Sequence, residues 1–397
     1  MEEKNHKNIY KIILIIVAVC AILGASYYSI ITYQNTKKST NQSNTTISKK
    51  VDEEDDEEEE EETASRINRK SDEKNLNITS GGSYDLSGTY ESVTINTSDE
   101  VTLNLKDAEI SCSDGPAINV EKAKKITISI SGNNTITATT TEDLDGAIYS
   151  KADLVLTGSG SLELKSNYDG IVSKDTLVIE NGTYKITSSD DAIRGKDSVE
   201  IADGTFNIDA GGDGIKASND EDTSLGYVLC EGGTYTIKAK SDGIQGITKV
   251  TIEDGTYNIS AAEGIEATVV TINDGTINIE ASDDGINASK KSTISTPNVE
   301  INNGNITIKM GQGDTDAIDS NGNITINGGT INITGNSAFD YDGTAKKNGG
   351  KIIINGTETD TITNQMMGGG MKGQMPNQMP QDGNMQNEGM QRGKRFN

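Results

Sequence analysis

Apolar and polar residues alternate along most of the chain in short runs that are separated by glycine-containing corners. Residues 249–267 read KVTIEDGTYNISAAEGIEA, and residues 269–288 read VVTINDGTINIEASDDGINA. In the first segment, Val250, Ile252 and Ile259 are separated from one another by polar neighbours. An alternation with a period of two is typical of strands that bury one side. The pattern therefore predicts short strands around a shared interior.

The strand pattern recurs about every 21 residues, and each unit holds one Asp-Gly-Ile corner and one Asp-Gly-Thr corner or a close variant. No stretch with helical periodicity lies between the strands. The repeat therefore predicts a solenoid with about ten complete turns, which is a parallel β-helix over residues 76–363. Glycine suits these corners because they need a positive φ. Insertions at 139–144, 218–227 and 288–298 are predicted to border a binding surface. The acidic corners are Asp114, Asp145, Asp169, Asp191, Asp213, Asp242, Glu263, Asp284, Asp316 and, more loosely, Asp340.

The N-terminal part predicts export. Residues 12–31 carry no charge and are long enough to cross a bilayer, and lysines precede them. We expect a single-pass cell-membrane protein with residues 1–35 as cytoplasmic stub and anchor, 36–75 as an acidic disordered linker, and 76–363 outside the cell. The Gly/Met-rich residues 364–397 are predicted to be a disordered tail. Two alternatives stay open: a cleaved signal peptide, which releases a secreted protein, and a lipoprotein anchored at Cys20.

The amino-acid composition excludes several kinds of partner and catalytic site. The formal net charge of −26 argues against a nucleic-acid partner and is compatible with divalent cations. The single histidine, His6, precedes the apolar segment, so catalytic triads with histidine and histidine-ligated zinc are excluded beyond it. Aromatic residues make up 4% of the chain and tryptophan is absent, which predicts a narrow interior of small apolar side chains. Cys112 and Cys230 are compatible with one disulfide bridge or with two free thiols.

Stacking of the turns places equivalent corner residues in vertical rows, which we call files. The acidic file consists of Asp191, Asp213, Asp242, Glu263, Asp284 and Asp316. The mixed file consists of Arg194, Lys216, Gln245, Glu266, Asn287 and Asp319. Stacked carboxylates repel one another, and a hard cation that takes six to eight oxygen ligands relieves the repulsion.

The files therefore predict Ca²⁺, with metal ligands at Asp190, Asp191, Asp213, Asp242, Glu263, Asp283, Asp284, Asp314, Asp316 and Asp319. The alternative is that Asp and Asn before glycine only form turns and bond their own backbone.

The apolar N-terminal segment, the acidic linker, the stacked Asp-Gly-Ile and Asp-Gly-Thr corners and the Gly/Met-rich tail together resemble a clostridial family of carbohydrate-binding β-helix proteins. That family binds cellulose and acidic sugars and is related in fold to the calcium-dependent pectate lyases of polysaccharide lyase family nine. The resemblance covers roughly residues 76–363. It implies a right-handed parallel β-helix, bound Ca²⁺ at the corner aspartates and binding of polygalacturonate-like chains at the cell surface.

Three functions remain open at this point. The first is a non-catalytic binder of acidic polysaccharide and cellulose in which Arg194, Lys216, Gln245 and Asn287 contact the sugar. Exposed tyrosines such as Tyr149 would stack on its rings. The second is a calcium-dependent lyase with Lys216 or Arg194 as the base. The third is a passive surface rod or adhesin.

Overall fold

The computed structural model describes residues 66–70, 74–293, 296–312 and 315–365. Within those ranges the secondary structure is all strand, and none of these residues belongs to a helix that could span a membrane. The predicted membrane segment 12–31, linker residues 36–65, the tail from residue 366 and Asp314 lie outside the described residues.

Each turn of the chain contributes one strand to each of three faces, here called faces 1, 2 and 3, before it returns one layer further along. Face 1 is a 12-stranded parallel sheet, and faces 2 and 3 belong to one 24-stranded sheet. The strands of face 1 are Asn75–Ile78, Ser92–Asn96, Ile118–Lys122, Gly146–Ser150, Asp169–Ser173, Ile193–Gly195, Ile215–Ala217, Asp242–Gly246, Glu263–Ala267, Ile286–Ala288, Asp316–Ser320 and Ser337–Tyr341. The strands of face 2 are Lys125–Ser131, Leu154–Gly158, Thr176–Ile179, Ser198–Ile201, Tyr227–Cys230, Lys249–Ile252, Val269–Ile272, Asn298–Ile301, Asn323–Ile326 and Ala345–Lys347. The strands of face 3 are Asn133–Ala138, Ser161–Ser166, Thr183–Ser188, Thr205–Ala210, Thr234–Ala239, Thr256–Ala261, Thr276–Ala281, Asn305–Met310, Thr330–Thr334 and Lys351–Ile354. The described residues thus form a parallel β-helix, as the repeat predicts.

Four further strands complete the two ends. Arg66–Lys70 pairs with Gly82–Tyr90, which pairs with the long strand Glu100–Cys112. That long strand runs through both face 2 and face 3. At the other end, Thr357–Thr359 pairs antiparallel with Lys351–Ile354. Strand structure therefore begins about ten residues before the predicted boundary at residue 76.

Stacked isoleucines hold the register of face 1. The Ile of each Asp-Gly-Ile corner pairs with the Ile one turn on, from Ile193 to Ile318. Val250, Ile252 and Ile259 are at most 3% exposed, as their alternation predicts. Because a shift by one residue would expose every inward side chain, burial fixes the alignment of successive turns. That alignment places the corner side chains above one another.

The interior also contains a stack of large rings, which the composition argued against. Tyr184, Phe206, Tyr235 and Tyr257 lie on successive turns of face 3 and are at most 1% exposed. Their ring centroids are 5.2, 4.8 and 4.5 Å apart, with interplanar angles of 10° or less. The four aromatics follow the glycine–threonine pair of the second corner, so a Gly-Thr-Tyr/Phe pattern is the sequence signal for this stack.

Glycine in the second corner makes room for those rings. Gly255 has a φ of 121°, and a Cβ there would lie 2.9 Å from the Gly233 carbonyl and 3.0 Å from the Tyr257 ring. The Tyr257 hydroxyl donates a 2.9 Å hydrogen bond to the Asp254 carbonyl in the same corner. The corner and the stack therefore depend on each other.

The two cysteines of the β-helix are both free thiols, so the disulfide alternative is wrong. Cys230 is fully buried, and Cys112 is half-buried. The insertion at 139–144 lies between faces 3 and 1, whereas those at 218–227 and 288–298 lie between faces 1 and 2.

Candidate functional site

The acidic file runs along the corner that leads into face 1, and its carboxylates bond from one turn to the next. Asp191 accepts a 2.8 Å hydrogen bond from the Asp213 N–H, and Asp213 accepts one of 2.9 Å from the Asp242 N–H. Asp284 accepts a 3.1 Å bond from the Asp316 N–H. Each of these aspartates thus satisfies a backbone donor about one turn further along the chain. The carboxylates face their neighbours in the file, as the stacking predicts.

The second corner behaves differently, and there the turn-forming alternative holds. Asp203, Asp254 and Asp274 each accept the N–H of the glycine that follows, at 2.7, 2.7 and 2.8 Å. Their side chains thus bond the backbone of their own turn, and Asp274 also accepts a 3.0 Å hydrogen bond from Asn303 one turn on. The two corner types have similar sequences, but they have different roles.

The mixed file is aligned as predicted: Arg194, Lys216, Gln245, Glu266, Asn287 and Asp319 are consecutive cross-strand partners. Arg194 contacts Asp145, and it lies 2.5 Å from Asp169. Lys216 lies 3.1 Å from Asp191 and 2.8 Å from Asp213. The positive charges of the two cations are therefore already matched by carboxylates of the protein.

The amides of the mixed file also donate to carboxylates. Gln245 donates to Asp242 and, at 3.3 Å, to Glu266. Asn287 donates a 3.0 Å bond to Glu263. Thus the four residues predicted to contact sugar all donate to the protein's own acids, and contact with a sugar stays a prediction. Tyr149, expected to be exposed for stacking, is buried at 4% exposure, so that expectation is wrong.

Two groups of three acids in the described residues bring carboxylate oxygens within 4.8 Å of one another: Asp169 with Asp190 and Asp191, and Asp242 with Glu263 and Glu266. Two members of the first group, Asp169 and Asp191, contact the Arg194 guanidinium. We call the second group the Glu266 cluster. Its described ion-pair partner is Lys291, which comes from the 288–298 insertion and contacts Glu266.

The Glu266 cluster fits a hard cation. Two oxygens that each lie 2.3–2.6 Å from Ca²⁺ are at most about 5 Å apart, so all three carboxylates can share one ion. Asn287 supplies a second sign: it is 7% exposed, and its Oδ1 atom has no hydrogen-bond partner. A buried amide oxygen without a donor is costly, and a cation is a suitable partner for it. Oxygen ligands without imidazole or thiolate favour Ca²⁺ over zinc.

Burial makes the acids around this cluster weak. Burial, with Asp213 and Glu266 adding to it, raises the pKa of Asp242 to about 8. Burial and then Glu266 raise the pKa of Glu263 to about 7, and burial and then Asp284 raise that of Asp319 to about 7. At neutral pH these groups carry a charge only at an energetic cost, unless a cation compensates it.

The remaining predicted metal ligands differ in how deeply they are buried. Asp284 belongs to the acidic file, and burial raises its pKa to about 6. Asp316 is half-buried and accepts a hydrogen bond from Ser337. Asp190 and Asp283 are exposed. Sequence reasoning did not assign Asp145, Asp169 or Lys291 to the site; the two aspartates occupy the same corner position as the assigned ones, whereas an insertion supplies Lys291.

Stability should depend on pH through these acids when divalent cations are removed. The pKa values of about 6–8 lie above the ordinary 3.8–4.5, so the folded protein binds more protons than the unfolded chain. This contribution is complete below the ordinary values and is lost as the pH rises through 6–8. We expect the unfolding midpoint in a chelating buffer to fall by at least about 4 °C between pH 5 and pH 8, since even one pKa unit corresponds to about 1.4 kcal/mol. A midpoint that rises over this range would contradict the assignment.

The chain is similar to known carbohydrate-binding proteins. A family model described as "Carbohydrate-binding domain-containing protein" matches residues 72–334 and 263–381. A solved structure titled "Structure of the polysaccharide lyase-like protein from C. thermocellum, Gadolinium derivative" is 26% identical, with a TM-score of 0.43 over 54% of this chain and 93% of that one. No curated protein matches the chain. The family match spans the β-helix with its acidic corners and well over half of the 397 residues, and the chain belongs to the family of carbohydrate-binding domain-containing proteins.

Proposed function

We propose that this protein binds an acidic, polygalacturonate-like polysaccharide through Ca²⁺ held at the Glu266 cluster. The observation that carries the proposal is the three carboxylates within 4.8 Å of one another, beside the unpartnered Asn287 oxygen. Family membership supports the carbohydrate part of the proposal. We further propose that residues 12–31 hold the β-helix at the outer cell surface.

The chemistry of the cluster favours a ligand that brings its own oxygens. Three carboxylates and one amide oxygen fill only part of the six to eight positions around Ca²⁺. Uronate carboxylates supply further hard oxygen ligands, and their charge offsets the remaining charge of the ion. An uncharged sugar gains less from this site, because it brings no anionic oxygen. The acidic polysaccharide is therefore the favoured ligand of face 1.

Co-sedimentation with insoluble polygalacturonate tests this proposal. The protein should bind in millimolar CaCl₂ and lose at least about tenfold in affinity in excess chelator. Asp242→Asn with Glu266→Gln should show the same loss in CaCl₂. Asp254→Asn is the matched control and should bind like wild type, because Asp254 bonds its own corner. Binding that survives both the chelator and the double substitution would rule out the calcium-dependent site.

A lyase that uses Lys216 or Arg194 is not favoured. Although burial lowers the pKa of Lys216, Asp191 and Asp213 raise it more, and the net value lies above the ordinary one. Arg194 is likewise held in its charged form by Asp169 and Asp145, which outweigh the effect of burial on its pKa. A general base must be unprotonated to accept a proton. We therefore assign the two cations to the internal charge pairing of face 1.

A further inference from the structure

The Glu266 cluster contacts a cation that the protein itself supplies. The Lys291 ammonium contacts the Oε2 atom of Glu266, and the Ser289 hydroxyl donates a 2.8 Å hydrogen bond to the Oε1 atom. The Gln245 amide donates to the same Oε2 atom at 3.3 Å. A carboxylate has about four lone-pair sites, so these donors leave Glu266 little room for a metal ion. Lys291 therefore takes up a position at Glu266 that a bound cation needs.

Lys291 is held less firmly than the other cations of face 1. Arg194 and Lys216 belong to strands, and each contacts at least two carboxylates. Lys291 comes from the 288–298 insertion, and within the described part of the chain its ion pair is with Glu266 alone. Its side chain is 25% exposed, so water can solvate the ammonium when it leaves the carboxylate. The contact between Lys291 and Glu266 is therefore exchangeable.

The backbone on both sides of Lys291 is anchored to the preceding turn. The Ser289 N–H donates a 3.0 Å hydrogen bond to the Ala267 carbonyl, and the Ser292 N–H donates one of 2.8 Å to the Thr268 hydroxyl. Ser292 is buried. A lysine ammonium lies at the end of a flexible four-carbon stem. The ammonium can therefore leave the carboxylate while the backbone stays in place.

We infer that Lys291 is a tethered competitor of Ca²⁺, which balances the Glu266 cluster when the ion is absent and is displaced when the ion binds. Two cations at one carboxylate repel each other, and the repulsion is strong where burial excludes water. The exchange keeps a cation beside the buried acids in both states. The apparent Ca²⁺ affinity is lowered in proportion to the fraction of molecules in which Glu266 is free. Lys291 thereby sets the Ca²⁺ concentration at which the site fills. This inference rests on the calcium site of the proposed function and adds the residue that regulates it.

Isothermal titration calorimetry of the full chain, in detergent, with CaCl₂ alone tests the inference. Lys291→Met keeps an unbranched side chain and removes the charge, so it should bind Ca²⁺ about tenfold more tightly than wild type. In chelator this variant should unfold at a lower temperature than wild type, and CaCl₂ should restore the midpoint. Lys290→Met is the matched control, because Lys290 is exposed and its loss changes the net charge equally. It should bind Ca²⁺ like wild type.

Acetylation of lysines, followed by mass spectrometry, tests the wild-type protein without a substitution. Contact with Glu266 shields the Lys291 amine, so Lys291 should react several-fold faster in CaCl₂ than in chelator. Lys290 is the internal control and should react equally in both buffers. This measurement decides the question even if Lys291→Met does not fold.

Tighter Ca²⁺ binding by Lys291→Met and calcium-dependent labelling of Lys291 support the inference. Equal or weaker Ca²⁺ binding by Lys291→Met overturns it, and so does equal tightening in Lys290→Met. Labelling of Lys291 that stays unchanged although Ca²⁺ binds also overturns it. The proposed function can fail separately, since Ca²⁺ binding without polygalacturonate binding would overturn that function and leave the role of Lys291 in place. If neither wild type nor Lys291→Met binds Ca²⁺, both proposals are wrong.

Discussion

Replacement of Tyr235 by alanine should lower the free energy of unfolding by about 3–5 kcal/mol. Tyr235 is fully buried and stacks on Phe206 at 4.8 Å and on Tyr257 at 4.5 Å. Its removal leaves a cavity between two rings that cannot close, because the sheet register fixes the positions of both neighbours. Urea denaturation followed by circular dichroism measures the change.

Two variants at tyrosines give the control. Tyr235→Phe keeps the stack and loses the 2.7 Å hydrogen bond to the Gly232 carbonyl, so we expect a loss of only about 1 kcal/mol. Tyr227→Ala removes a half-exposed tyrosine on face 2 and should cost less than Tyr235→Ala. If Tyr235→Ala and Tyr227→Ala had equal effects, the stack would not be a main source of stability.

Replacement of Arg194 by alanine should be comparably severe, at about 3–5 kcal/mol near pH 8. The change leaves Asp169, which is 2% exposed, without its cation, and the neighbouring Asp145 loses the same partner. Burial already raises the pKa of Asp169 to about 6, although Arg194 lowers it, so removal of Arg194 raises it further. The cost should therefore shrink towards pH 5, where the carboxyl is protonated. Thermal unfolding at the two pH values measures this difference.

Lys238→Ala provides the comparison for an exposed charge. Lys238 lies 3.9 Å from Asp209, and both side chains are more than half exposed, at 74% and 62%. Such surface pairs contribute about 0–1 kcal/mol. An Arg194→Ala variant as mild as Lys238→Ala, with no dependence on pH, would show that the buried pairing on face 1 is unimportant.

The repeat explains how much of the fold could be predicted. A period of two within strands and of about 21 residues between them leaves few arrangements other than a β-helix. The same period predicted which corner residues share a file, and the cross-strand pairing from Arg194 to Asp319 follows it. The low aromatic content does not predict the stacked rings, because composition is averaged over the whole chain, whereas four aromatic residues lie directly above one another on four successive turns.

The sequence by itself determined which residues lie in register, because burial of alternating apolar side chains permits only one alignment of successive turns. Only the tertiary structure decided how the charges of each file are balanced. Arg194 neutralises acids one and two turns back, and Lys216 neutralises one acid of its own turn and one of the turn before. The Glu266 cluster has Lys291 instead, from an insertion whose position no period predicts. The direction of a side chain at a corner depends on the donors and charges around it, and these come from turns that are distant in the sequence.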